Sequence, residues 1–461
     1  MDRRECVRQM NFLAKLVTTH TFGVQARKNC LAYKDEHHLI HVCGNNAVIV
    51  NLETKDQAFI GGTTQPFLGL GITSITSLPK KTIAIAEKTS DHGVVSFYDS
   101  HTLRKKKIIN SDSIGSSEIV AMSISEDGKF FAAQGGAPEW NFSFWNIEKT
   151  PKLLAIIAST SQAEQSVSSI SICPFDNTVI AIFGNKTSRL LRWSEGNLKP
   201  MSLSLRRDNA NFTSHAWLPE DRCIVGTQGG ELLLIDNFDF KAVVYPCGND
   251  GEDLVPVLSL DHTTRGFVMG TVSGEIRLFE KAEDTKEQYA MTQMYCLPGE
   301  SSHVMNVLMG QDDVLTCLTD SQQLFSCPLY GSNALVKNRT PQNFDNLSSP
   351  FHTVNMNGSS DIIAMDIALW RPFLATVAKD NSVRIWNLQT KRMEVAEQFS
   401  EEPVAVAIHP SGLYLVVAFI DKLKIISVLL NELSFTREVR KIYRVLCCAS
   451  ALKLSIIGNH L

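Results

Sequence analysis

One short phrase recurs along the chain, and its spacing limits what the chain can fold into. An apolar strand runs into a turn, a second apolar strand, another turn, and a third strand. That third strand ends in an aromatic or aliphatic residue followed by a polar one. The clearest copies are SISEDGKFFAAQGGAPEWNFSFWNIE at 123–148 and LWRPFLATVAKDNSVRIWNLQ at 369–389. Taking the third-strand landmark as the anchor gives Val50, Tyr98, Trp145, Trp193, Ile235, Phe279, Ser326, Trp386 and Ile426. Successive anchors lie 48, 47, 48, 42, 44, 47, 60 and 40 residues apart. A period of about 40–50 residues carrying three or four short strands is the signature of a β-propeller blade. A blade has two apolar faces and cannot cover them alone. Stacking neighbours around an axis buries both, and ring closure protects the ends.

The landmark is a degenerate WD type: Tyr98-Asp99, Trp145-Asn146, Trp193-Ser194, Ile235-Asp236, Phe279-Glu280 and Trp386-Asn387. Gly, Asp or Asn stands in nearly every turn, as at Asp127-Gly128, Gly229-Gly230 and Asp380-Asn381, where tight hairpins need positive φ. In the eighth copy Thr376, Asp380 and Trp386 fit three places of a hydrogen-bonded prop, while its histidine place falls near Gly358. Tyr98, Asp99, Trp145, Trp193, Thr376, Asp380 and Trp386 are therefore read as structural blade landmarks. The widest gap holds NRTPQNFDNLSSPFHTVNMNGSS at 338–360, a linker composition. The expected fold is all-β: a seven-bladed propeller over 12–345, then an incomplete second propeller over 346–461. The second part holds two blades and the start of a third, YRVLCCASALKLSIIG. Residues Phe12 to His20 are expected to supply the strand that closes blade seven. The second part is too short to close a ring, so either it packs irregularly or the chain is a truncated product of a longer gene.

Composition narrows the function. Lys+Arg 44 against Asp+Glu 48 leaves a net charge of -4, which argues against a nucleic-acid partner. The first 18 residues carry Arg3, Arg4, Arg8 and Lys15 among the apolar ones, so no signal peptide is read there. The stretch Leu413 to Leu430 contains Asp421, Lys422 and Lys424, which disqualifies it as a membrane span. The 11 cysteines mostly sit in apolar runs, as buried thiols of a cytoplasmic protein do.

The motifs of catalysis are not found. No GxSxG elbow and no GxxxxGK[ST] cradle occurs; GTQGGE and GTVSGE lie between strands and read as hairpin turns. Asp35, His37, His38 and His41 form the best metal candidate, but strand alternation sends neighbours to opposite faces. No metal, cofactor or small-molecule substrate is expected, and the chain reads as a non-enzyme. The vicinal pair Cys447-Cys448 reads as buried small residues rather than a redox couple. Arg104, Lys105, Lys106 and Lys107 form the one strong local charge. They read as a solvated edge strand, with contact to an acidic protein partner as the sharper alternative.

The stretches TFGVQARKNCLAYKDEHHLIHVCGNNAVIVN, TLRKKKIIN, LLRWSEGNLKP and SHAWLPEDRCIVGTQGGELLLID resemble the N-terminal region of the axonemal WD-repeat family of cilia- and flagella-associated proteins. The resemblance covers about 15–440. It implies a protein-binding scaffold of the cytoskeleton, in the cilium or flagellum axoneme. Such a scaffold helps place or regulate inner dynein arms, and so ciliary motility, with dynein-arm subunits and tubulin as the implied partners. Family members continue into long coiled coils, and no heptad region follows here. The competing expectation is a cytosolic WD-repeat adaptor in a ubiquitin-ligase or trafficking complex.

Overall fold

The computed structural model describes residues 18–440 except 62–70, 111–114, 161–163, 204, 206–209, 246–253, 283–287, 298–302, 311–312, 330–344, 349–361 and 430–431. Among the described residues the strands form nine four-stranded sheets, each a simple antiparallel meander in sequence order. Sheets one to nine span 31–61, 71–110, 119–158, 166–201, 212–244, 257–296, 304–348, 362–398 and 405–440. All nine anchors fall on the third strand of successive sheets. No described helix is long and apolar enough to cross a membrane.

The burial pattern shows why the middle strands are continuous apolar runs. The second and third strands of sheet one, His38–Cys43 and Asn46–Asn51, are both buried along their four central residues. Both faces of such a strand are covered, so alternation disappears. The outer strand of sheet three, Lys152–Ala158, returns to a mixed pattern because one of its faces meets water. Each apolar cluster joins two adjacent sheets. Ile40, Val42 and Ile49 of sheet one meet Ile75, Ile83 and Ile85 of sheet two. Phe267 and Phe279 of sheet six, stacked at 4.6 Å, meet Leu218, Ile224 and Leu234 of sheet five.

Seven sheets are linked in a circuit. The first strand of each packs on the first strand of the next, and Leu31–Tyr33 of sheet one packs on Val304–Met309 of sheet seven. Leu31, Tyr33 and Leu39 share a cluster with Leu318 and Leu324. The Tyr33 hydroxyl lies 2.6 Å from Thr316 Oγ1 across that junction. Sheets eight and nine share a separate core built on Ile385, Val417 and Phe419. One further contact reaches them from the N-terminal side: the Phe22 ring packs at 4.7 Å on that of Trp386.

Register refines the repeat. In seven of the nine sheets the anchor residue pairs with the second residue of the second strand, as Trp145 with Phe131 and Trp386 with Leu374. By that rule sheet four has Leu191, paired with Ile180, in place of Trp193. Sheet seven has Cys327, paired with Leu315, in place of Ser326. Trp193 stands two residues on, on the same face, and is only half-buried. Ser326 stands one residue short, and a one-residue slip changes the face of a strand. The landmark spacings across the first seven sheets then narrow to between 44 and 48. A bulge precedes the landmark in six sheets, for example Phe97/Tyr98, Phe144/Trp145 and Ile385/Trp386. A bulge bends the strand and re-aims its side chains, so its recurrence is part of the repeat.

The outer strand of sheet seven differs from expectation. Asp345–Ser348 fills it, pairing with Leu324–Pro328. Of the expected closing segment, residues 12–17 lie outside the described residues and 18–20 form no strand. Residues 441–461, with Cys447 and Cys448, also lie outside them, as does Gly358.

Candidate interaction face at the mouth of the ring

The short segment before sheet one occupies the centre of the circuit. Asn29, held at a φ of 59°, turns the chain into its first strand. Its side-chain amide donates to Val120 O of sheet three at 2.9 Å. Lys28 Nζ donates to Thr213 O of sheet five at 3.1 Å, and Arg27 O accepts from Asn306 Nδ2 of sheet seven at 2.7 Å. Three consecutive residues thus tie three non-adjacent sheets across the axis. Burial lowers the Lys28 ammonium to about 8, because charge is costly away from water. Nothing in the period singled these residues out, since they precede the first repeat. The one sequence signal is a polar triplet directly ahead of an apolar strand.

Below this segment is a cavity of about 190 Å³ lined by first strands. Hydroxyls and amides supply most of its polar atoms. Ser168 Oγ donates to Phe212 O at 2.9 Å, and Ser259 Oγ donates to Val304 O at 3.2 Å. Leu260 N donates to Ser214 Oγ at 3.1 Å, and Met309 N donates to Asp261 Oδ2 at 2.7 Å. Each of these bonds joins one sheet to the next, so the polar lining sews the circuit together. His215 Nδ1 and Nε2 lie 2.9 Å from Ser169 Oγ and 2.5 Å from Ser171 Oγ, and Trp217 Nε1 donates to Ser171 Oγ at 2.6 Å. Loss of water lowers the imidazole to about 4 and keeps it neutral. It is a held ring rather than a poised base.

The predicted landmarks are not brought to this mouth. Trp386 is fully buried and its Nε1 donates to Thr376 Oγ1 at 3.0 Å. Asp380 Oδ1 accepts from Ser382 N at 3.0 Å and from Ser382 Oγ at 2.6 Å, which closes the hairpin turn. Tyr98 and Trp145 are buried on their third strands, and the Trp145 Nε1 has no hydrogen-bond partner. Asp99 caps the next turn through Thr102 N at 2.7 Å, and the Lys106 ammonium beside it holds its carboxyl well below the usual range.

Lys105, Lys106 and Lys107 of the charge run lie on the outer strand of sheet two, Lys105–Asn110, and Arg104 just precedes it. Lys106 pairs with Asp99 at 2.5 Å, and Lys107 donates to Glu148 O at 3.0 Å and to Ile147 O. Lys105 lies 5.5 Å above the Tyr98 ring, while Arg104 is exposed. The Asp35 cluster splits. His38 Nδ1 meets Asp35 Oδ1 at 2.7 Å, His37 faces Glu53 at 3.5 Å, and His41 is buried apart. GTQGGE and GTVSGE are hairpin turns of one kind: Thr227 Oγ1 accepts from Glu231 N at 2.9 Å and Thr271 Oγ1 from Glu275 N at 3.0 Å. In sheet seven Thr319 and Gln323 repeat that turn at 3.2 Å.

The sequence is similar to several known proteins. Cilia- and flagella-associated protein 57 of Mus musculus is 28% identical over 474 residues, which cover 91% of this chain and 37% of that protein. Cilia- and flagella-associated protein 57 A of Tetrahymena thermophila is 23% identical over 88% of this chain and 35% of its own length. Cilia- and flagella-associated protein 44 of Mus musculus is 26% identical over 48% of this chain and 12% of its own. The chain thus spans a little over a third of the length of its full-coverage relatives. Among solved structures, the β-propeller domain of Cps50 (Swd1) from Myceliophteria thermophila aligns over 78% of this chain and 96% of its own, at a TM-score of 0.40 and 13% identity. A family model described as the CFAP43 N-terminal domain matches residues 80–321, from sheet two into sheet seven. With just over half of its residues in that match, the chain belongs to the CFAP43 N-terminal domain family, and its curated relatives are cilia- and flagella-associated proteins.

Proposed function

We propose that the chain is a non-enzymatic protein-binding scaffold of the ciliary or flagellar axoneme, contributing to the assembly or regulation of inner dynein arms and so to motility. Its partners in this reading are axonemal proteins, inner dynein arm subunits and tubulin among them. The observation that carries the reading is the match to cilia- and flagella-associated proteins along nine-tenths of the chain. The architecture supports it: a rigid circuit of sheets presents turns whose sequence is free to vary. In this reading the first propeller is residues 12–345 extended through the outer strand Asp345–Ser348 of sheet seven, which moves the boundary expected at 345/346 to after 348, and the rest of the chain belongs to a partial second one. Endogenous tagging in ciliated cells tests the location: signal along axonemes is expected, and a diffuse or vesicular signal defeats the proposal. Immunoprecipitation from the same cells is expected to recover inner-arm subunits. Limited proteolysis that cuts first between 349 and 361 fits the two-part division, and cuts confined within 31–348 oppose it.

A further inference from the structure

We infer that the mouth of the ring holds a receptor pocket for a carboxylate side chain of an acidic peptide. This rests on reading the chain as a protein-binding scaffold and names a place and a partner chemistry for it. Beside Arg27 a cavity of about 740 Å³ opens between the segment before sheet one, the turn at Cys43–Asn45 of sheet one, the start of sheet two, and a turn of sheet seven. Its floor is apolar, at Val24 and Ile72, and its rim carries Arg27 and Lys88.

These two cations share one carboxylate. Arg27 Nη2 is 3.5 Å from Glu118 Oε1 and Lys88 Nζ is 3.4 Å from Glu118 Oε2. Both contacts are long, and the cationic side chains are 51% and 46% exposed. Exposed pairs of this kind are weak, so a second carboxylate can enter without breaking a strong bond. The rim has an excess of one positive charge over this pair. The guanidinium fork of Arg27 suits bidentate capture of a carboxylate. Thr73, 6% exposed, also lines the cavity. Gly44 adds width, because a Cβ placed there would meet nothing within 4 Å.

The test uses the full chain and a fluorescein-labelled hexaglutamate peptide, with hexaglutamine as its uncharged control, read by fluorescence anisotropy. Wild type is expected to bind hexaglutamate, to bind hexaglutamine far less, and to lose affinity as salt rises. Arg27→Gln with Lys88→Gln is expected to weaken hexaglutamate binding about tenfold or more. Glu118→Gln removes the internal competitor and is expected to tighten it severalfold. These opposite signs separate the pocket from simple damage to the fold, which thermal melts check. Replacing Arg104, Lys105, Lys106 and Lys107 with Gln is expected to leave this affinity unchanged. No binding, equal binding of both peptides, or indifference to Arg27 and Lys88 overturns the proposal. A chain that reaches axonemes but fails here defeats the pocket alone. One that binds here but never reaches axonemes defeats the scaffold reading alone.

Discussion

At the residue scale, the buried polar groups are the sensitive points. Trp386→Phe removes the Nε1 donor to Thr376 Oγ1 and part of the ring volume at a fully buried site. The expected cost is about 1–3 kcal/mol, measured by chemical denaturation followed through amide exchange in sheet eight. Buried histidines set a pH dependence. His41 and His215 are lowered to about 4, in both cases chiefly by loss of water. The unfolded chain binds protons near pH 6.5 and the folded chain does not until about 4. Between those values stability falls as pH falls, by about 1.4 kcal/mol per pH unit for each group. The melting temperature is therefore expected to drop from pH 7 to pH 5, and His215→Gln to flatten part of that slope. Sequence reading found Trp386 and Thr376 because they belong to the repeated phrase. His215 escaped it, since its partners Ser169 and Ser171 come from the preceding sheet.

At the element scale, close cross-strand approach constrains the hairpins. A Cβ at Gly184 would lie 1.9 Å from Ser166 O on the neighbouring strand. Gly184→Ala is expected to force the two strands of sheet four apart and lower thermal stability markedly, while Gly196→Ala, with nothing within 4 Å, is expected to do far less despite its φ of 82°. Equal effects at both positions would show that the approach does not matter. The outer strand of sheet two carries its cations differently: Lys106 and Lys107 are committed to Asp99 and to sheet three. Replacing all four charges of the run tests its contact with an acidic partner, and full retention of partner binding would rule that contact out. The third strands were legible because their apolar runs and turn residues repeat. The landmarks of sheets four and seven were not. Trp193 and Ser326 drew the eye by type or period, whereas hydrogen-bond register decides for Leu191 and Cys327.

At the scale of the whole molecule, closure depends on a few contacts between residues far apart in the chain. Tyr33→Phe removes the hydroxyl that meets Thr316 where sheet one joins sheet seven. A loss of about 1–3 kcal/mol is expected, with faster amide exchange in sheets one and seven than in sheet four. Phe22→Ala removes the ring packed on Trp386 and is expected to raise exchange in Ser382–Asn387 while leaving sheets three to six unchanged. The sequence by itself determined the all-β class, the order of the strands and the nine third strands, because period and apolar runs are local properties that each blade repeats. Only the tertiary structure decided how the circuit closes, which strand completes sheet seven, and that Arg27, Lys28 and Asn29 cross the axis. Those outcomes depend on groups up to 283 residues apart meeting in space, as Tyr33 and Thr316 do, and no local pattern encodes that meeting.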